Sequence, residues 1–259
     1  MSSLGICDTI VFAPHPDDEA FGCAGLIYEN IQKNRKVKIV IITNGDGDKN
    51  GCESLFRKNP TPKNYIEMGY MRQNESKAAM GILGLSPTDI TFLGYPDNGL
   101  YEILKTDKYD ENRPYKSEFT GLTHTSFNNS YSKNVPYCKE SIVRDIRLIL
   151  EEYSPIQAYI THPNDGHSDH SASGEILRKI LRKSSKPTKV FGYYISMAKR
   201  PTPKGALYYK TTQKMIEKRL KKDVKKIKLK CLQQYKSQIS LLGETFLDYH
   251  SRIERFWKI

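Results

Sequence analysis

Histidine and aspartate residues are concentrated in two short motifs. The first contains His15, Asp17 and Asp18 in the run Ala-Pro-His-Pro-Asp-Asp-Glu, which begins at Ala13. Imidazole and carboxylate are typical ligands of catalytic zinc, and a His and an Asp three residues apart in a turn can reach one ion. Asp17 lies between them, where its carboxylate can face a water in an open coordination position. The motif predicts two metal ligands, His15 and Asp18, and a general base, Asp17.

The second motif runs from His162 to His170 and reads His-Pro-Asn-Asp-Gly-His-Ser-Asp-His. His167 and His170 are three residues apart, so a tight turn or a helix start would place them on the same side. Either imidazole can complete a facial set of ligands, which leaves the other free for a second role. We interpret His162 as a residue that orients the loop or a neighbouring side chain.

Each motif also has an ordinary explanation. An acidic pair after a strand commonly caps a helix, and a single histidine is more often a surface or core residue than a ligand. Two clusters of His and Asp, each at the end of a predicted strand, are much harder to explain in this way. Together they favour one metal site.

Short runs of β-branched and aromatic residues alternate with helical patterns, which predicts an α/β, Rossmann-like, mainly parallel sheet flanked by helices in a single domain, 1–259. The predicted strands are Thr9–Ala13, Val37–Thr43, Asp89–Leu93, Ala158–Thr161 and Lys189–Ile195. The predicted helices are Glu19–Asn34, Tyr65–Leu83, Lys139–Tyr153, Ala172–Lys183 and Thr211–Tyr235. Both motifs follow carboxyl ends of strands, and such ends converge on one crevice of a parallel sheet.

Three further segments have a distinct character. Asn98–Pro136 is long and polar, and we interpret it as an inserted substrate-side loop or lid, with a flap of small strands as the alternative. Gly45–Pro62 is a second polar loop. The lysine-rich helix predicted at 211–235 has one apolar face, so we interpret its lysines as the solvated face of a docked helix in preference to an anion-binding surface.

Composition limits the classes of protein that fit. The 259 residues are 38% hydrophobic and 27% charged, which is ordinary for a globular protein, and no apolar run could cross a bilayer. We therefore expect a cytoplasmic protein. The five cysteines form no CxxC pair and suggest neither disulfides nor a thiolate zinc site. The net charge of +12 favours anionic neighbours but identifies none.

The run Ala13–Gly25 and the run His162–His170 resemble the two signatures of the LmbE-like, or PIG-L, family of N-acetylglucosaminyl de-N-acetylases. This family includes the enzyme that deacetylates N-acetylglucosaminyl-phosphatidylinositol. Weaker similarities lie at Met71–Glu75, Leu93–Asp97 and Tyr235–Gln238. The segment Asn98–Pro136 and the lysine-rich helix are not covered by the resemblance.

The resemblance implies one zinc ion, with iron or another divalent metal as the alternative. It also implies roles for particular residues: His15, Asp18 and His170 as metal ligands, Asp17 as general base, His167 as the group that stabilises the oxyanion or protonates the leaving amine, Asp169 as the residue that orients His167, and Arg72 and Asp97 as sugar contacts. The implied reaction removes the acetyl group from an N-acetylated amino sugar or its conjugate, releasing acetate and a free amine.

Two rival functions are weaker. A metal-dependent phosphoesterase with two ions would need further bridging carboxylates. A non-catalytic carbohydrate-binding relative would need neither a base at Asp17 nor a donor at His167. A serine nucleophile is not supported, because no GxSxG elbow is present. The expected partner is therefore a small amino-sugar substrate, anionic or conjugated, and not a nucleic acid, and homo-oligomerisation is compatible with this interpretation.

Overall fold

The computed structural model describes residues 6–56, 58–184, 186–195, 213–243 and 253–259. These residues form a seven-stranded sheet with the order β3-β2-β1-β4-β5-β7-β6. The strands are β1 Thr9–Ala13, β2 Val37–Thr43, β3 Ile90–Tyr95, β4 Gln157–Thr161, β5 Lys189–Tyr193, β6 Met215–Arg219 and β7 Ile253–Lys258. The helices are α1 Asp18–Ile31, α2 Lys49–Phe56, α3 Pro62–Leu83, α4 Leu100–Lys105, α5 Lys139–Tyr153, α6 Ser168–Arg182, α7 Lys222–Leu232 and α8 Lys236–Leu242.

The sheet is parallel from β3 to β5, and β7 and β6 are added antiparallel at one edge. The prediction of a mainly parallel α/β sheet is therefore confirmed. From β1 the chain winds outward through β2 and β3 on one side, and later through β4 and β5 on the other. The winding reverses between β1 and β4, and such a switch point is where open α/β sheets bind ligands.

Helices cover both faces of the sheet, which explains why β1 is apolar throughout. Alternate side chains of a strand point to opposite faces. Ile10 and Phe12 accordingly pack into one core cluster, and Val11 and Ala13 pack into another. Because all five residues of β1 are buried, this strand is a fixed base for the residues that follow it.

Helix α1 is held close to the sheet by β7. The carboxylate of Glu254 accepts hydrogen bonds from the backbone N–H groups of Gly25 and Leu26, each at 2.8 Å. It also accepts one from the buried ammonium group of Lys228 at 2.8 Å. A Cβ atom at Gly25 would lie 2.4 Å from Leu220 Cδ2, so any larger residue would have to displace the Leu220 side chain. These contacts fix the middle of α1 against the sheet.

The prediction of a single helix over Thr211–Tyr235 is wrong. Within its described part, Met215–Arg219 is strand β6, which pairs antiparallel with β7, and helix α7 begins only at Lys222. Residues 211–212 lie outside the described residues. The apolar spacing misled because Ile216 is 40% exposed on the edge strand, whereas Lys228 is buried in its ion pair. Pairing with a distant strand overrides helical periodicity here.

The two polar segments contain more structure than predicted. Helix α2 lies within Gly45–Pro62, and helix α4 lies within Asn98–Pro136. The longer segment also forms two isolated bridges, and its Tyr131 N–H donates to Phe92 O at the sheet edge. Among the described residues, no helix is long and apolar enough to span a membrane.

Candidate metal centre

The two His and Asp motifs meet at the carboxyl ends of β1 and β4, which are neighbours in the sheet. His15 follows β1 by two residues, and Asp18 is the first residue of α1. His170 lies in the first turn of α6, which follows β4. Residues that are 155 positions apart thus come into contact, as expected for strand ends of one parallel sheet.

Three potential ligand atoms form a nearly equilateral triangle. His15 Nδ1 lies 3.2 Å from Asp18 Oδ2 and 3.1 Å from His170 Nε2, and His170 Nε2 lies 3.2 Å from Asp18 Oδ2. Tetrahedral ligands about 2.0–2.1 Å from zinc lie about 3.3 Å from one another. The three side chains therefore fit one face of a four-coordinate divalent ion, with the fourth position directed away from them.

Carboxylates face the remaining nitrogen of each imidazole. His15 Nε2 lies 3.0 Å from Asp97 Oδ1, and His170 Nδ1 lies 3.0 Å from Asp165 Oδ1. A carboxylate behind a ligating histidine fixes the tautomer and makes the facing nitrogen a better donor to the metal. Sequence reasoning assigned no role to Asp165, although it lies within the second motif.

Buried charges shift the pKa values of the two candidate histidine ligands in the direction expected for a cation site. Burial would lower the pKa of His170, but Asp18 and Asp165 outweigh it and raise the pKa to about 9. Burial would likewise lower the pKa of His15, whose neighbours Asp97, Asp169 and Asp18 instead raise it well above its usual value. The site therefore attracts positive charge, which a divalent ion can supply in place of protons.

Replacing Asp165 by asparagine is expected to weaken metal binding by about 10–100-fold, because the amide is a poorer acceptor for His170 Nδ1–H. Titration of the metal-free protein with zinc measures the dissociation constant. Asn164→Ala, at the exposed neighbouring position, is the matched control and should bind zinc as the unaltered protein does. Equal affinity in the Asp165→Asn protein would contradict the supporting role of this carboxylate.

Asp17 has an unusual conformation beside the triangle. Its φ is +130°, a region that residues other than glycine rarely adopt. Its Oδ2 accepts a hydrogen bond from Arg72 Nη2 at 3.2 Å. Burial raises the pKa of Asp17 to about 8, against the opposing effect of Arg72. A carboxyl group with a pKa near neutrality is suited to accepting a proton from a nucleophile.

His167 is the N-cap residue of α6, and its ring packs against the two other histidines. Its centroid lies 5.0 Å from that of His15 and 4.6 Å from that of His170. The backbone N–H of Asp169 donates to His167 Nδ1 at 3.2 Å, so the neutral ring carries its proton on Nε2. Burial and the neighbouring histidines lower the pKa of His167, which favours this neutral form.

The carboxylate of Asp169 makes different contacts from those that the resemblance implied. The bond that orients His167 comes from the backbone of Asp169. The carboxylate accepts a hydrogen bond from Tyr101 N–H at 3.1 Å, and its other oxygen lies 3.6 Å from His15 Nε2. Asp169 therefore lies near the same nitrogen of His15 as Asp97 does.

Arg72 and Asp97 both line the cavity, and both also contact other residues of the site. Besides Asp17, the guanidinium group donates to the carbonyl oxygens of Gly45 and Pro16, each at 3.1 Å. Its Nη1 lies 3.7 Å from Asp97 Oδ2. Arg72 thus joins the residue beside the triangle to the carboxylate behind His15.

A cavity of about 480 Å³ opens over these groups. Such a volume falls within the roughly 300–1,000 Å³ typical of small-molecule sites. Its lining includes the residues of the triangle, Asp17, His167, Arg72 and Asp97. It also includes Asn98 and Phe119 of the inserted segment and Gln238 of α8. That Asn98–Pro136 is a substrate-side loop or lid stays a prediction.

The fold and the site define an α/β protein with a candidate single-metal centre at its topological switch point. Residues 10–181 match the PIG-L family, described as GlcNAc-PI de-N-acetylase. This match covers more than half of the chain and includes both motifs. The protein belongs to the PIG-L family.

Solved structures with the same fold include enzymes of different activities. A triple mutant of a teicoplanin-pathway deacetylase, Orf2*T, has a TM-score of 0.64 at 14% identity, with 97% of each chain covered. N,N'-diacetylchitobiose deacetylase from Pyrococcus horikoshii has a TM-score of 0.59 at 17% identity, covering 96% of this chain and 82% of that one. GalB, the 4-carboxy-2-hydroxymuconate hydratase of Pseudomonas putida KT2440, has a TM-score of 0.57 at 14% identity, covering 95% and 84%. Such identities establish the fold alone, so the reaction must be argued from the site.

Proposed function

We propose that this protein is a metal-dependent hydrolase that removes the acetyl group from an N-acetylglucosamine-type amino sugar or its conjugate, releasing acetate and a free amine. The proposal agrees with membership of a family described as a de-N-acetylase. It rests on one observation above all. A carboxylate, Asp17, and a neutral imidazole, His167, line the same cavity as the triangle of His15, Asp18 and His170.

The three ligands would hold one divalent ion, with zinc as the expected metal and iron as the alternative. When bound there, such an ion supplies Lewis acidity, which makes a water a stronger acid and polarises a carbonyl group. The ligand set of two imidazoles and a carboxylate suits both metals. Asp165 would orient His170 through its contact with Nδ1, and Asp97 lies 3.0 Å from His15 Nε2.

Asp17 acts as the general base. Arg72 occupies its Oδ2, so Oδ1 is the oxygen left to take the proton from the attacking water. The water oxygen then forms a bond to the amide carbon, and the negative charge develops on the carbonyl oxygen. The proton on Asp17 can next pass to the amide nitrogen as the carbon–nitrogen bond breaks, which releases the amine and acetate.

His167 is proposed to act on the carbonyl oxygen, where negative charge develops, or on the leaving amine. Its Nδ1 accepts the backbone N–H of Asp169, so its Nε2–H is the donor available to the carbonyl oxygen or to the leaving amine. A neutral imidazole held at a helix start is preorganised for this purpose, because its orientation does not change during the reaction. Arg72 and Asp97, which also line the cavity, are proposed to contact the sugar.

Acetate release from a panel of N-acetylated sugars and conjugates, with the protein loaded with zinc or iron, tests the proposal. The panel should include free, inositol-linked, nucleotide-linked and lipid-linked N-acetylglucosamine, together with a phosphodiester. Release of acetate and a primary amine in equal amounts would support it. Phosphodiester hydrolysis without acetate release would instead favour the phosphoesterase alternative.

Replacing His167 by alanine is expected to lower kcat by about 10²–10³-fold and to change KM little, because the lost donor acts on charge that develops in the transition state. Steady-state acetate release gives both constants. His162→Gln is the control, because His162 is not among the cavity-lining residues. Its Nε2 lies 2.8 Å from Gln213 Oε1, and its ring stacks on Tyr194. An unchanged kcat in the His167→Ala protein would remove this residue from the mechanism.

A further inference from the structure

Asp17 occupies a position that normally draws an aspartate side chain into the helix. It is the N-cap residue of α1, and aspartate is among the strongest N-caps because its carboxylate accepts the free N–H groups of the first turn. Yet the side chain of Asp17 makes no capping hydrogen bond. Its carboxylate instead contacts Arg72 and lines the cavity. Something must prevent the local preference.

The backbone of Asp17 shows the same conflict. The N-cap residues Thr61 and Cys138, by contrast, have extended conformations, with φ/ψ of −88°/164° and −140°/167°. Asp17 has φ 130° and ψ −28°. An unfavourable conformation at a functional residue persists only when its surroundings impose it. The hydrogen bonds of Asp17 therefore indicate which groups impose it.

Glu19 holds the backbone of Asp17. Its Oε2 accepts a hydrogen bond from Asp17 N–H at 3.0 Å, and its Oε1 accepts one from Tyr235 O–H at 2.6 Å. Glu19 is fully buried. A buried carboxylate is costly unless its hydrogen bonds compensate for lost water. The hydrogen bonds from Asp17 N–H and Tyr235 O–H supply such compensation to Glu19.

Tyr235 comes from the end of the chain that the family match does not include. It precedes α8 and is fully buried. Helix α8 is itself fixed to α3, because Glu75 accepts hydrogen bonds from Ser237 N–H at 2.7 Å and Ser237 Oγ–H at 2.6 Å. The helix that carries Arg72 and the C-terminal segment thus hold Asp17 from two sides.

We propose that Glu19, anchored by Tyr235, is a positioning residue that prevents Asp17 from capping helix α1 and so keeps its carboxylate in the cavity. Without the acceptor at Glu19, the N–H of Asp17 is free to turn and the residue relaxes to extended backbone. Its carboxylate then accepts N–H groups of the first turn of α1. The inference rests on the proposed function only where kcat is its measure.

The central variant is Glu19→Leu, which keeps the bulk of the side chain and removes its acceptors. We expect kcat to fall about 100-fold, the order of loss that a displacement of about 1 Å causes, with KM and metal content unchanged. Glu19→Gln keeps one acceptor for Asp17 N–H and should recover most of this loss. Tyr235→Phe removes one hydrogen bond and should lower kcat by about two- to tenfold.

Matched controls separate positioning from general stability. Glu254→Gln alters another buried carboxylate that accepts N–H groups of α1, and Tyr159→Phe removes a hydroxyl elsewhere in the same core cluster. These variants should lower the unfolding midpoint without lowering kcat more than about twofold. If kcat falls in proportion to the unfolding midpoint in all variants, Glu19 has only a structural role and the inference is wrong.

A crystal structure of the Glu19→Leu protein gives a measure that does not depend on activity. The expected result is a negative φ at Asp17, with its carboxylate accepting N–H groups of α1. A positive φ with the carboxylate still beside Arg72 would overturn the inference. If Glu19→Leu does not fold, Glu19→Met, which also removes both carboxylate oxygens, is crystallised and judged by the same criterion. Absence of acetate release by the unaltered protein would reject the proposed function, and the conformation of Asp17 would still decide the present inference.

Discussion

Replacing Asp17 by alanine is expected to lower acetate release by about 10²–10⁴-fold while the protein keeps its divalent metal. The proposed base is lost, but His15, Asp18 and His170 remain to bind the ion. Acetate release and metal content are measured on the same sample, so that a loss of activity can be separated from a loss of metal. A folded variant with full metal content and native rate would show that another group takes the proton.

Asp17→Asn and Asp145→Asn complete this test. The asparagine at position 17 keeps the size of the side chain and an oxygen for Arg72, so its loss of activity isolates the charge of the carboxylate. Asp145 is also a buried carboxylate, held by Tyr95 O–H at 2.8 Å and Ser132 O–H at 2.7 Å, and it lies outside the cavity lining. Its asparagine variant should be active wherever it is folded.

Replacing His170 by alanine is expected to remove the metal and reduce acetate release to the level of the metal-free protein. One corner of the triangle is lost, and Asp165 is left facing a cavity where it formerly accepted His170 Nδ1–H. Treatment of the unaltered protein with a chelator should also abolish acetate release, and added zinc or iron should restore acetate release. The ion that restores the higher rate at equal occupancy identifies the competent metal.

The His170→Ala protein should not recover when metal is added in the same amount. His124→Ala is the matched control, because His124 lies in the inserted segment and its Nδ1 is bonded to Thr123 Oγ1, away from the triangle. That variant should bind one ion and retain the native rate. Full metal content in His170→Ala would exclude His170 as a ligand and would point to His167, whose ring lies beside it.

The central elements of the fold could be predicted because their signals are local. Strands β1 and β2 and helix α5 have the predicted bounds, since buried parallel strands are continuous apolar runs and α5 has a strongly amphipathic pattern. Strands β6 and β7 could not be predicted in this way. β6 has exposed residues at most positions, and its conformation depends on pairing with β7, more than thirty residues later in the chain.

The composition of the site was visible in the sequence, but its internal assignments were not. Spacing brought His15 and Asp18 to one turn, and the strand ends indicated that the second motif would join them. It left the choice between His167 and His170 open. The triangle favours His170. Its Nδ1 faces the carboxylate of Asp165, which favours a proton there and leaves the lone pair on Nε2 for a metal. In His167, Nδ1 accepts the Asp169 N–H, so the proton is on Nε2.

The sequence by itself determined the fold class, the family and the residue types gathered at the switch point, because all of these follow from local pattern and from short motifs. Only the tertiary structure decided which nitrogen faces the triangle, which carboxylates stand behind it and why Asp17 does not cap its helix. These features depend on contacts of Asp97, Arg72 and Tyr235 with residues far from them in sequence. Contacts with such distant residues orient the side chains of the site, and this orientation cannot be inferred from spacing along the chain.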